Sequence, residues 1–313
     1  MLGTPVCDFL GIRCPIIQGG MAYLAGPELV AAVSNAGALG TLGAGYLPPD
    51  WVEELISRTR ALTDRPFAVN IMPHSPHIEA VLEVVIEEKA PVVALGGGDP
   101  TQCLPVLKAG QVKVMPVVSS VAAARRMEQL GADAVVVEGM ESGGHIGDVT
   151  TMALVPQVVD AVRIPVIAAG GIADGRGLVA ALALGAQAVQ VGTRFVCTRE
   201  CAAHPRFKER MLEAGGSDTR VIGRSTGRPV RCLDTELIRQ ILEMEKGGQT
   251  VDHYFGAGKL HTAAVEGNVE DGFVMAGQAV GLVREMMTAE EVVQQMMNEA
   301  EMTINALTRR LAS

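Results

Sequence analysis

Eight short apolar runs punctuate the first 195 residues, and they constrain the fold more than any other feature. They are PIIQGGM from Pro15, LGTLGAG from Leu39, FAVNIM from Phe67, PVVALGGG from Pro91, KVMPVVSS from Lys113, AVVVEG from Ala134, PVIAAGG from Pro165 and AVQVGTRF from Ala188. Most end in Gly, Asn, Ser or Glu. Stretches with helical spacing lie between them. GPELVAAVSNAG closes on Gly37, and PPDWVEELISRTRAL opens with proline and an acid in its first turn. SVAAARRMEQLGA and ADGRGLVAALALGA carry apolar residues at helical intervals and finish in glycine. Buried strands alternating with helices, eight times over at intervals of roughly 20–30 residues, predict a (β/α)8 TIM barrel. A doubly wound open sheet is the competing arrangement, and the even spacing of eight units favours closure.

The rhythm stops after Phe195. Residues 200–272 are more polar and broken, with EAGGSDTR, GRSTGRPVR, EKGGQT and FGAGKLH between helical pieces. They read as a small, mostly helical insertion, a substrate or lid domain, leaving residues 1–199 and 273–313 to the barrel. The last stretch places Val292, Val293, Met296, Met297 and Ile304 on one helical face, which should pack back onto the barrel. The chain is 313 residues long, with 48% hydrophobic residues, 3% aromatics and 36 glycines, as small aliphatic strands over tight turns require. Its formal net charge of -9 argues against nucleic acid and anionic membranes as partners. None of the six cysteines forms a CxxC pair, so they read as reduced thiols. There is no signal-peptide pattern, and no apolar run reaches the ~20 residues of a membrane span. A cytoplasmic protein is expected.

In a barrel of this kind the chemistry sits at the C-terminal ends of the strands. Those ends hold Gln18–Met21, Asn70, Gly96–Gly98, Ser119–Ser120, Glu138–His145, Gly170–Gly171 and Gly192–Thr193. Glycine there lets backbone N–H groups approach a flat or anionic ligand. The turns after the seventh and eighth runs, AAGGIADG and VGTRF, predict a phosphate cup. No GxGxxG follows a strand and there is no Walker lysine, so FMN or a phosphorylated substrate fits better than a dinucleotide. Asn70 could bond a ligand's polar edge or tie two loops together, and Met21 could lie beside a planar ring or in the core. The stretch EGMESGGHIGD sets His145 among four glycines. His145 has no nearby HxH or HxxxH partner, and zinc is not expected at His74 and His77 either. An imidazole on a strand-end loop suits a general acid or base. Neither a Ser-His-Asp nor a Cys-His arrangement can be read.

The motifs PIIQGGMA, NIM, EGMESGGHIG, IPVIAAGGIADGRG, AVQVGTRF, GRSTGRPVR and VMAGQ occur in that order over nearly the whole chain. The sequence resembles the flavin-dependent enoyl-acyl carrier protein reductases, the second type of that enzyme in bacterial fatty acid biosynthesis. Nitronate monooxygenases, the 2-nitropropane dioxygenase group, share the barrel, the flavin and the His-bearing loop. They are the near alternative, with oxidation of nitronates by O2 as the reaction. The GRSTGRPVR and GFVMAGQ stretches look more like the reductase. The resemblance implies FMN, NADH or NADPH as reductant, an enoyl-acyl carrier protein substrate, a homodimer and a response to monovalent cations. It implies that Gly20, Met21, Ala22 and Asn70 border the isoalloxazine and ribityl chain. Gly144, Gly170, Gly171, Gly192 and Thr193 would hold the ribityl and phosphate, and Met275, Gly277 and Gln278 would close over the flavin. His145 would be catalytic. Arg224, Arg228 and Arg231 could meet the acidic carrier protein or be solvated loop charge.

Overall fold

The computed structural model describes residues 2–312. In chain order the strands are β1 (Ile16–Gln18), β2 (Gly40–Gly45), β3 (Phe67–Ile71), β4 (Val92–Leu95), β5 (Lys113–Val118), β6 (Val135–Glu138), β7 (Gly144–His145), β8 (Val166–Ala169), β9 (Ala188–Val191), β10 (Thr219–Ile222) and β11 (Val230–Leu233). All eight apolar runs supply barrel strands. The order is β1-β9-β8-β6-β5-β4-β3-β2, and every neighbour pairs in parallel. Closure falls between β1 and β2. Ile17 bridges Leu39 in parallel, and the buried amide of Gln18 extends the seam. Its Oε1 accepts from Thr41 N at 3.0 Å and its Nε2 donates to Thr41 O at 3.1 Å. A side chain here does the work of backbone where the strands diverge, so Gln18 belongs to the barrel wall.

Strand alternation sorts the residues into two layers. Phe67, Val69, Val135, Val137, Ala168, Val189 and Val191 face outward into the packing under the helices. Ala68, Val92, Met115, Val136, Ile167 and Ala188 face inward, and the helix Pro5–Leu10 packs Val6, Cys7 and Leu10 against them. The interior is a solid core plugged at its N-terminal face, as barrels of this type require. The last helix, Ala289–Ala312, packs on the helix Gly175–Ala183, as its apolar spacing predicts. A side chain at Gly175 would lie 2.3 Å from Ala300 N and 2.4 Å from Met296 O, so glycine is what permits this approach. No described helix is long and apolar enough to cross a membrane.

Residues 200–272 contain the helices Pro205–Leu212, Glu236–Lys246 and Ala257–Ala264, together with the hairpin of β10 and β11. Sequence reading gave the helices and left out the hairpin. β10 pairs antiparallel with β11, and β11 pairs with β7, the loop that bears His145. Ile222, Val230, Leu237, Ile238, Ile241 and Phe273 form a separate small core beneath it.

Candidate active site

A cavity of about 300 Å³ opens at the C-terminal end of the barrel. Its floor is the last inward-facing layer of the strands. Asn70, Val117, Glu138, Ala169 and Gln190 are two residues beyond the core positions Ala68, Met115, Val136, Ile167 and Ala188, so the period of two turns them to the same side. Glycine-rich turns form one wall. Phe255, Leu260, Phe273 and Met275 add apolar lining, the first two from residues 200–272.

The glycines divide by what surrounds them. A side chain at Gly170 would lie 2.9 Å from Gly139 O, and one at Gly277 would lie 2.6 Å from Glu141 O; close packing demands glycine at both. At Gly192 a methyl would touch only the Met21 sulfur at 3.7 Å. At Gly144 it would touch only the Met275 sulfur at 3.6 Å. At Gly171 the nearest atom would be Glu141 Cβ at 3.4 Å. These three line open cavity that a side chain would fill, and Gly144, Gly170 and Gly171 have positive φ. A concave wall of bare backbone beside an amide floor fits a planar ring with an anionic tail.

The loop from Glu138 to Asp148 is held from several directions. Arg231 is buried, and its Nε and Nη2 donate to Met140 O at 3.1 and 2.9 Å. Its Nη1 donates to Thr219 Oγ1 at 2.9 Å. The Glu141 carboxylate accepts from Thr151 N and Oγ1 at 2.9–3.0 Å, while Glu141 O accepts from Gln278 N at 2.9 Å. β7 lies in register with β11, pairing Gly144 with Arg231 and His145 with Val230, and Ile146 N donates to Pro229 O at 3.1 Å. His145 is thus a strand residue on a clamped loop. It is exposed and lines the cavity. Protein crowding around the ring holds its pKa below the usual histidine value, and Arg228 and His74 push it further down. This favours the uncharged imidazole.

Glu138 is the second titratable group of the cavity. Burial raises its carboxyl from 4.5 to about 7, against the opposing hydrogen bond that Ser142 Oγ donates to Oε1 at 3.0 Å. Sequence reading took Glu138 only as the edge of the histidine loop. Strand parity along AVVVEG could have placed it inside. Tyr23 and Phe255 also line the cavity with no motif to announce them, because they come from a turn and from the distant stretch 200–272, and Phe273 lies in the GFVMAGQ stretch without having been singled out.

Of the residues singled out in sequence, His145, Gly20, Met21, Ala22, Asn70, Gly144, Gly170, Gly171, Gly192, Thr193, Met275 and Gly277 all line this cavity. Gln278 does not: its side chain is exposed and its backbone serves the loop of Glu141. Thr193 Oγ1 accepts from Gly277 N at 3.0 Å, tying the C-terminal segment to the end of β9. The three arginines separate. Arg231 is a buried clamp and offers no docking charge. Arg224 pairs with Asp148 at 2.6 Å on the surface, and Arg228 lies at the cavity wall. No group of three His, Cys, Asp or Glu among the described residues could hold a metal ion.

A barrel that sets an imidazole and a carboxyl of raised pKa at a glycine-walled cavity has the form of an enzyme site, and the comparisons give its family. The family model described as "Nitronate monooxygenase" matches residues 4–82 and 75–299, and the chain belongs to that family. The solved structure of FabK from Thermotoga maritima superposes with a TM-score of 0.96 and 47% identity, covering 99% of this chain and 100% of that one. A (3aS,4S,5R,7aS)-5-hydroxy-7a-methyl-1-oxo-octahydro-1H-indene-4-carboxyl-CoA dehydrogenase of Rhodococcus jostii (strain RHA1) is 34% identical over 345 residues, 98% of each chain. A probable nitronate monooxygenase of Staphylococcus saprophyticus is also 34% identical, over 97% of this chain and 99% of its own.

Proposed function

We propose that this chain is an FMN-dependent enoyl-acyl carrier protein reductase, using NADH or NADPH to saturate trans-2-enoyl thioesters in fatty acid elongation. The observation that carries this reading is His145, clamped by β11 at a cavity with a bare glycine wall and apolar lining. The full-length similarity to FabK supports it, as does a relative whose name is that of an acyl-CoA enzyme.

FMN, when bound, supplies the two-electron chemistry: hydride arrives from the nicotinamide and leaves for the β-carbon of the enoyl group. The protein's residues do the rest. Gly144, Gly171 and Gly192 give the cofactor backbone and space, and Asn70 offers its amide to the ring edge. Met21 and Met275 supply soft apolar contacts from two sides. Phe255, Leu260 and Phe273 take the acyl chain and exclude water. Residues 200–272 are, in this reading, the substrate-side domain. His145, neutral at working pH, donates an N–H to the thioester oxygen as enolate charge develops there. The proton that ends on the α-carbon passes through the same rim, where His145 is the donor within reach. Arg228, at the cavity wall, is the remaining candidate for meeting the carrier protein.

Nitronate oxidation by O2 is the second reading, favoured by the family match and the staphylococcal relative. An anaerobic experiment separates the two. The flavin is reduced with NADH and offered crotonyl thioester, and in a separate sample the oxidised flavin is offered a nitroalkane anion, which would reduce it. Reoxidation by the thioester supports the reductase. Inertness toward it, with aerobic turnover of the nitronate, would refute it.

A further inference from the structure

Glu138 is a carboxyl with no charged partner, built into the floor of the cavity. Its place is set by the strand: Val136 lies in the barrel core and Glu138, two residues on, in the layer above. In register it sits beside Ala169, at the foot of the turn bearing Gly170 and Gly171. Among the described residues its carboxyl has one hydrogen bond, from Ser142, which uses one oxygen. That leaves the other oxygen for whatever fills the cavity.

The groups around it do not neutralise it. Val117 on β5 and Ala169 on β8 are apolar. From the loop, Glu141 spends its carboxylate on Thr151, and Arg231 directs its guanidinium to Met140 O and Thr219. His145, Arg228, Tyr23 and Tyr46 line the same cavity and make no hydrogen bond or ion pair to Glu138, and Met275 and Gly277 of the C-terminal segment are uncharged. An ionised carboxylate here would face buried apolar surface and, beside the glycine turns, the phosphate of a bound nucleotide.

We propose that Glu138 enters the cofactor complex in its protonated form and donates a hydrogen bond to an acceptor atom of FMN, so that FMN binding holds one proton on this side chain. The inference rests on FMN being the cofactor. Burial, which places the free carboxyl near neutrality, makes the proton available in the working range. Ligand binding then favours the neutral form further, and affinity falls as pH rises past that point.

The test is FMN affinity against pH, read by quenching of flavin fluorescence on titrating apoprotein, for wild type, Glu138→Gln and Ser142→Ala. The flavin phosphate ionises with a pKa of about 6, which is common to all three proteins and cancels in the ratios. Between pH 6 and pH 8.5 the ratio of wild-type Kd to E138Q Kd should rise by up to roughly thirtyfold, the linkage of one proton held throughout by the complex. S142A removes the bond that favours the ionised form, so its loss of affinity should begin at higher pH than in wild type. Parallel profiles for wild type and E138Q overturn the proposal. Should E138Q fail to fold, an unshifted S142A profile overturns it equally. Apoprotein that takes up no FMN at any pH overturns the flavin reading and this inference together, whereas tight binding with parallel profiles removes Glu138 alone.

Discussion

Replacing Arg231 tests whether the histidine loop is held by the hairpin of β10 and β11 or merely rests against it. The guanidinium is buried and makes three hydrogen bonds, two of them to Met140 O and one to Thr219 Oγ1. Arg231→Ala leaves the carbonyl and the hydroxyl buried without these donors and opens a void the size of the lost side chain. Hydrogen bonds from a charged donor contribute roughly 1.5–3 kcal/mol each, but the desolvation of the guanidinium offsets part of that sum. Truncating such a group typically costs about 3–5 kcal/mol, which for a chain of this size is a fall in Tm of roughly 6–10 °C. Arg231→Lys keeps the charge but cannot form the planar fork, and should lose about half as much. Differential scanning calorimetry measures the loss, and steady-state kinetics should show kcat falling with it, because Arg231 pairs in register with Gly144, the residue next to His145. The alternative role, docking of an acidic carrier protein, predicts an unchanged Tm and a raised KM for the carrier-borne substrate. A loss below about 1 kcal/mol with normal kcat would refute the clamp.

Four further outcomes follow from the same geometry. His145→Ala should keep its flavin absorbance yet lower enoyl reduction by roughly 10²–10⁴-fold; near-normal turnover would remove His145 from the chemistry. Because the His145 pKa lies below its ordinary 6.5, the form present at pH 7 is neutral, so kcat/KM should fall only on the acid side of 6.5, and His145→Gln should lack that limb. Glu138 has a raised folded-state pKa, so its contribution to stability is complete below 4.5 and lost as pH rises to about 7. Glu138→Gln should therefore stabilise the apoprotein at pH 8 relative to wild type, by up to about 3 kcal/mol, and much less at pH 4.5, as chemical denaturation at the two pH values would show. Gly192→Ala should leave Tm unchanged and weaken FMN binding at least about tenfold, since its methyl meets open cavity, whereas Gly175→Ala drives a methyl into the backbone of the last helix and should cost about 1–3 kcal/mol.

The barrel was legible in the sequence because its signals are local. Each apolar run is a strand buried on both faces, each intervening stretch has helical spacing, and the glycines mark the turns that join them. The position of His145 was legible for the same reason, since the end of β6 is where this architecture puts chemistry. Parity along β6 also held the inward placement of Glu138, though only the assembled cavity shows that this position is enclosed and therefore close to neutral. What the tertiary structure alone decided involves distant partners. The hairpin of β10 and β11 is four residues a side with mixed polarity, so nothing local announces it. It exists because β11 pairs with Gly144–His145 and covers a small apolar core of its own. Arg231 read as a docking charge or a solvated loop charge and is a buried clamp, because its acceptors come from Met140, 91 positions earlier in the chain, and from the neighbouring strand. The role of Gln18 as a seam between the first two strands was equally hidden, since it depends on where the barrel closes. The sequence by itself determined which residues form the strand ends and which of them are glycine. Only the closed structure decided which glycines face open cavity and which are pressed against backbone, because that depends on contacts between segments far apart in the chain.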